Sequence, residues 1–136
     1  MQEGYSHIVV ISAVGGTARQ LTSGSHQFGS SSWTPDGKHI LYTVNKSEDA
    51  EVDPNNEQIF EQHIETGVSK QLTSTRGPFY SPKVSPDGEH IAYTGFDDKF
   101  VGYQLTKLYL MLRDGTELEV LSKDFTQDIS SITWAK

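Results

Sequence analysis

Trp33-Thr34-Pro35-Asp36-Gly37-Lys38-His39-Ile40-Leu41-Tyr42-Thr43, with Gln20-Leu21-Thr22-Ser23 ahead of it, decides the fold because the chain says it twice. The second copy stands 51 residues on: Gln71-Leu72-Thr73-Ser74, then Val84-Ser85-Pro86-Asp87-Gly88-Glu89-His90-Ile91-Ala92-Tyr93-Thr94. Laid over each other at that offset, positions 16–43 and 67–94 agree at 14 of 28 residues without a gap. Ile132-Thr133-Trp134-Ala135 begins a third copy. A repeat of this period marks a solenoid, a propeller or an array.

Working outward, each Pro-Asp-Gly reads as a hairpin turn. Pro presets φ at the first turn position, Asp suits the second, and Gly accepts the left-handed conformation that closes the turn. The strands flanking it end at Trp33 or Val84 and resume at His39 or His90. A third strand follows at Gln58–Ile64 and Lys107–Leu112, with His7–Ile11 at the same phase. Tight turns at Gly15-Gly16, Thr66-Gly67 and Asp114-Gly115 then lead to a fourth strand ending in Gln20-Leu21-Thr22, Gln71-Leu72-Thr73 and Val120-Leu121-Ser122. Four short strands in about 50 residues, repeated, is the pattern of a β-propeller blade.

Helical spacing of apolar residues is absent. A plain β-sandwich leaves the shared register of Gln-Leu-Thr, Pro-Asp-Gly and His-Ile-x-Tyr-Thr unexplained. The expected fold class is all-β: a propeller fragment of four-stranded antiparallel blades, two complete, with partial blades at each end. By phase, residues 7–22 are the last two strands of a blade, 30–73 and 80–122 are whole blades, and 130–136 are the first strand of another. Trp33 and Trp134 share one phase near the propeller axis and read as core.

Composition narrows the function. The 136 residues carry a formal charge of −7, with eleven Lys and Arg scattered rather than striped, which argues against nucleic acid as a partner. No apolar run reaches the roughly 18–20 residues that span a bilayer, so no membrane is expected. Cysteine is absent, which removes disulfides, thiolate metal sites and a cysteine nucleophile. The opening residues carry no secretion signal. The compartment stays open between periplasmic or secreted and cytoplasmic.

Candidate chemistry is sparse. No serine sits in a nucleophile elbow, so no catalytic residue is assigned. Ser25-His26 and Gly29-Ser30-Ser31-Ser32 read as an inter-blade loop. His39 and His90 occupy one repeat position after the turn and read as fold residues bonding a neighbouring strand or loop. Neither has the convergent partners a metal needs, and no metal or cofactor is expected. The connection 47–57 is acidic at five of eleven positions, with Glu48, Asp49, Glu51 and Asp53 as a candidate acidic loop. Its oxygen ligands make calcium conceivable, yet the EF-hand pattern is missing and a solvated loop is the simpler reading. The connection 96–104 carries Phe96, Phe100 and Tyr103, which either pack under the loop or contact a partner.

The pattern "strand, Ser/Thr-Pro-Asp-Gly, charged-x-Ile-x-Tyr-Thr, later Gln-Leu-Thr" resembles the WD-like repeats of the TolB family. It equally resembles the N-terminal propellers of prolyl oligopeptidase-type serine peptidases, including acylaminoacyl- and dipeptidyl-peptidase-like members. The stretch Tyr93-Thr94-Gly95-Phe96-Asp97-Asp98-Lys99, then Tyr103-Gln104, Lys107–Leu110, Asp114-Gly115-Thr116 and Ser130-Ser131-Ile132-Thr133-Trp134 is similar to a peptidase-type blade. That resemblance implies a non-catalytic domain that covers a separate α/β-hydrolase domain and filters peptide substrates by size. Gly-x-Ser-x-Gly, the hydrolase motif, is missing here, so the chain reads as part of the filter. The paired-Glu motif with which some dipeptidyl-peptidase relatives hold a substrate amino terminus is missing too. The alternative is a TolB-like protein-binding propeller with no peptidase attached. Unpaired edge strands at Ile8–Ile11 and Ile132–Ala135 add the expectation of a head-to-tail homo-oligomer.

Overall fold

The structure, a computed structural model, describes residues 5–48, 50–97, 104–124 and 126–135. The expected all-β propeller architecture is what forms. Among the described residues, ten strands run in chain order: β1 Val9–Val10, β2 Arg19–Gln20, β3 Phe28–Trp33, β4 His39–Val44, β5 Gln58–His63, β6 Ser69–Gln71, β7 Phe79–Val84, β8 His90–Gly95, β9 Lys107–Leu112 and β10 Glu119–Val120. They make one two-stranded antiparallel sheet, β1-β2, and two four-stranded meanders, β3-β4-β5-β6 (the first blade) and β7-β8-β9-β10 (the second).

Both blades are built by the same local bonds. In the Pro-Asp-Gly turns, Thr34 Oγ1 donates to Asp36 Oδ1 (2.6 Å) and Ser85 Oγ to Asp87 Oδ1 (2.5 Å). The same carboxylates accept from the backbone N–H of Lys38 (2.9 Å) and Glu89 (3.0 Å). Gly37 and Gly88 stand at φ 71° and 78°, where a Cβ would be strained. Gln-Leu-Thr has an equally definite task. Leu21, Leu72 and Leu121 each donate a backbone N–H to the third strand, at Ile8, Ile59 and Leu108. The hydroxyls of Thr22, Thr73 and Ser122 accept the N–H of those same residues, at 3.0, 2.9 and 2.8 Å. The motif therefore zips the outer strand of each blade to its neighbour.

A feature the sequence did not flag is also repeated. Ser30 and Ser81 hold φ of 45° and 54°, and the ladders β3–β4 and β7–β8 slip register across these serines. Each inner strand thus carries a β-bulge that bends it.

Side chains alternate between two layers. Ile8, Phe28, Ile40, Tyr42, Val44 and Phe60 form one core between β1-β2 and the first blade. Leu41, Ile59 and Leu72 from the other face of the first blade meet Phe79, Val84, Ile91, Tyr93, Tyr109 and Met111 of the second. Tyr93 and Tyr109 stack with ring centroids 5.1 Å apart, and Phe79 meets both edge-on. Arg113 Nε pairs with Glu61 Oε1 at 2.5 Å across the same seam.

Trp33 corrects one expectation. It is 51% exposed rather than core, whereas Val84, at the same repeat position, is buried. The reason is what lies in front of each. The first blade covers Val84, but only the outer strands β1 and β2 stand before Trp33. Trp134 is half-buried, its indole N–H donating to the Lys83 carbonyl at 3.0 Å. Residues 126–135 join no strand ladder. Even so, Lys83 Nζ reaches the Ile132 carbonyl at 2.7 Å, just as Ser32 Oγ, one repeat earlier, reaches the Pro82 carbonyl at 2.5 Å. Residues 132–134 accordingly stand beside the second blade where β7 stands beside the first.

Candidate functional site

A meander puts the β2–β3, β4–β5 and β6–β7 connections at one end of the blades and the Pro-Asp-Gly turns at the other. The chemistry gathers at the first of these ends. Tyr5, His26, Gln27, Asn45, Glu51 and Glu57 line a cavity of about 250 Å³ there. Two of its walls are held rigidly: Gln27 Oε1 accepts the Ser6 N–H at 2.7 Å, and Asn45 Nδ2 donates to the Asp53 carbonyl at 2.8 Å. Burial pushes the Glu57 carboxyl above its ordinary value of 4.5, partly offset by the Thr43 hydroxyl. Glu57 also carries the join between blades, its carbonyl accepting the Phe79 N–H at 3.1 Å.

The acidic connection divides once folded. Asp53 forms an ion pair with Arg76, which ties the β4–β5 connection to the β6–β7 connection. Glu48 and Glu51 are exposed, and Glu51 borders the cavity. Asp49 lies outside the described residues. Of the three aromatics, Phe96 is half-buried, with its N–H on the Pro78 carbonyl at 3.2 Å. It lines a second cavity, of about 560 Å³, with Asp97, Gln104 and Tyr109. Phe100 and Tyr103 lie outside the described residues. Lys46 Nζ sits 4.9 Å from the Phe60 ring centroid.

Sequence reading missed Glu57, Tyr5 and His26 as members of one site. Position 57 offered a faint signal, since it closes the long connection where the second blade has Thr106. Nothing local places residues 5 and 26 beside it, because only the packing of β1-β2 on the first blade does so.

The histidines are structural at the level of the backbone. Thr34 Oγ1 and Ser85 Oγ accept the N–H of His39 and His90, at 3.2 and 3.0 Å. The His39 ring meets His63 edge-on at 4.8 Å, but His90 lies opposite Leu112, so the ring pair is not repeated. Asp87, Glu89 and His90 come close enough to offer three ligand atoms to a cation. The first blade has Lys38 in the place of Glu89, and the hydroxyl–Asp and N–H–Asp bonds are the same in both, with Thr34 in the place of Ser85, which makes this a turn rather than a metal centre. His7 Nδ1 lies 3.1 Å from Thr22 Oγ1, the spacing of a base and a nucleophile. That hydroxyl already accepts the Ile8 N–H, and its counterparts Thr73 and Ser122 do the same work. The pair is a strand clamp.

The comparisons agree with this geometry. A putative TolB from Agrobacterium tumefaciens matches with TM-score 0.69 and 21% identity over 85% of this chain and 40% of that one. TolB from Acinetobacter baumannii matches with TM-score 0.64 and 23% identity over 85% of this chain and 26% of that one. An oligogalacturonate lyase solved in complex with manganese matches with TM-score 0.55 and 19% identity over 82% of this chain and 27% of that one. At these identities the likeness is one of fold. The chain spans less than half the length of each solved structure it matches. No curated protein matches it. The family model for the dipeptidyl peptidase IV (DPP IV) N-terminal region matches residues 1–100, which takes in β1-β2, the whole first blade and the start of the second. A β-propeller whose rim gathers carboxylates and loops, and whose blades follow that family's pattern over most of their length, belongs to the dipeptidyl peptidase IV N-terminal region family, the non-catalytic propeller part of a serine peptidase family.

Proposed function

We propose that this chain serves as a propeller segment that packs on an α/β-hydrolase serine peptidase domain and restricts which peptides reach it. The family match over residues 1–100 carries this reading. The rim supports it. The cavity bordered by Glu51 and Glu57 and the one lined by Phe96 lie at the end of the blades where the long connections gather, a surface suited to another domain or a peptide. The chain's own part is positioning and exclusion. The repeated hydroxyls of Thr34, Ser85, Thr22, Thr73 and Ser122 are taken up in turns and strand clamps.

The test is the full-length gene product. A hydrolase domain with Gly-x-Ser-x-Gly, whose cleavage of long peptides rises when residues 1–136 are deleted while cleavage of short ones is kept, supports the reading. A product made only of further blades overturns it in favour of a TolB-like protein-binding propeller. That second reading rests on the fold likeness alone.

A further inference from the structure

Asn45 borders a further cavity at the same end of the blades, of about 190 Å³, whose chemistry is opposite to that of the acidic one. Lys46, Asn56, Gln58, Phe60, Gln71 and Ser74 line it, and no carboxylate does among the described residues. All of these belong to the first blade or to the connections leaving its strands, so the cavity is built within one whole blade. The groove is repeated, but its chemistry is not. Strand register makes Phe96, Asp97, Leu105, Tyr109 and Val120 the counterparts of Asn45, Lys46, Asn56, Phe60 and Gln71. These counterparts line the cavity of about 560 Å³ in the second blade. There the cation gives way to a carboxylate and the amides to apolar side chains. Donors that the blade geometry demanded would recur, as the clamps of Thr22, Thr73 and Ser122 do. The polar set around Lys46 is therefore not imposed by the fold.

Three donors at this cavity are left over by the bonds that build it. Lys46 Nζ lies 4.9 Å from the Phe60 ring centroid and 5.7 Å from that of Phe28, which holds the ammonium against the rim. In a chain with 18 Asp and Glu, it has no ion-pair partner among the described residues. Asn56 Oδ1 accepts the Gly77 N–H at 3.1 Å and Gln58 Nε2 at 2.8 Å. A backbone N–H can only donate, so the oxygen end of this amide is fixed and its NH2 end stays available. The exposed Ser74 hydroxyl borders the same space. One positive charge with two neutral donors matches the two oxygens and single charge of a carboxylate, whereas a phosphate monoester carries nearly twice that charge. We infer that this cavity is a carboxylate site, in which Lys46 supplies the charge and Asn56 and Ser74 the directional hydrogen bonds. Its ligand is a peptide bearing that carboxylate on an acidic side chain or at a free C-terminus. Glu51 and Glu57 repel the same group from the adjoining cavity, which confines it to this one. The choice of a peptide rests on the function proposed above, while the carboxylate chemistry rests on the cavity alone.

Amide NMR of the isotope-labelled 136-residue protein, titrated with capped peptides to about 10 mM, resolves affinities as weak as millimolar. Three probes are needed: acetyl-Ala-Glu-Ala-amide, acetyl-Ala-Ala-Ala with a free C-terminus, and acetyl-Ala-Gln-Ala-amide, which has no carboxylate. The amide signals of Asn56 and Ser74 should move with at least one of the first two and stay still with the third. Which of the two moves them identifies the source of the carboxylate. Lys46→Met keeps an apolar stem over the rings without the charge, and should weaken binding about tenfold or more, while Lys46→Arg should restore it. Asn56→Asp keeps the oxygen that holds Gly77 but turns the donor into an acceptor, so binding should be lost. Thermal unfolding of each variant separates lost binding from lost folding. Equal movement with the Gln peptide, no movement with either carboxylate, or binding unchanged in Lys46→Met overturns the inference. These outcomes are independent of whether the full-length product holds a hydrolase domain, so this failure is distinct from failure of the peptidase reading.

Discussion

At the scale of single residues, the repeated letters mark hydrogen-bonding duties rather than chemistry. Thr73 accepts the Ile59 N–H and donates to Gln58 Oε1 at 2.6 Å, all of it buried. Thr73→Ala leaves a buried donor without a partner and should cost about 1–3 kcal/mol in denaturant unfolding, while Thr73→Ser should stay near the parent. Asp36 and Asp87 are held below their ordinary value of 3.8, first by the Thr34 and Ser85 hydroxyls and then by backbone N–H groups. Their depressed values add stability that is complete above about 3.8 and is lost as pH falls through the lower folded values. Thermal midpoints measured from about pH 5 to about pH 2 should therefore fall less steeply in Asp87→Asn, which keeps an acceptor but does not titrate. Glu57 has the opposite sign. Its carboxyl is raised by burial, so folding loses stability as pH rises through the range above 4.5, and Glu57→Gln should remove that loss. Turn chemistry of this kind was legible in the sequence because Pro, Asp and Gly act locally.

At the scale of elements, the two inner strands share a bulge that no residue type announces. Ser30 and Ser81 take a conformation usual for Gly, and nothing in a serine requires it. The register slip recurs at the same repeat position in both blades. Ser81→Val should be destabilising by about 1–2 kcal/mol, because a β-branched side chain resists the left-handed region. Gly95 is held more tightly. A Cβ there would stand 2.2 Å from the Pro78 carbonyl oxygen at φ +147°, so the β7–β8 ladder must shift to admit one. Gly95→Ala should cost more than about 2 kcal/mol by thermal or denaturant unfolding, with strain and clash acting together. The connections behave differently again. The acidic run 47–57 looked like one feature in sequence, yet Arg76, some twenty residues on, takes Asp53 out of it.

At the scale of the whole molecule, burial depends on which sheet stands in front of a position, and the repeat makes that measurable. Leu72 and Leu121 hold the same place in successive blades, but only Leu72 is sealed by a neighbour. Leu72→Ala should cost about 2–5 kcal/mol in dilute solution, and Leu121→Ala less than about 1 kcal/mol, as unfolding midpoints would report. Trp33 and Val84 make the same point, and it is why Trp33 was misread as core. The cavity at the rim belongs to this scale too, since residues 5, 26, 45, 51 and 57 meet only after two sheets have packed. The sequence by itself determined the blade, its strand order and its turns, because those follow from local conformational preference repeated at a fixed period. Tertiary structure alone decided which apolar faces are sealed, where the inner strands bend and which polar residues share a cavity, because each depends on the distance between chain segments that the sequence keeps apart.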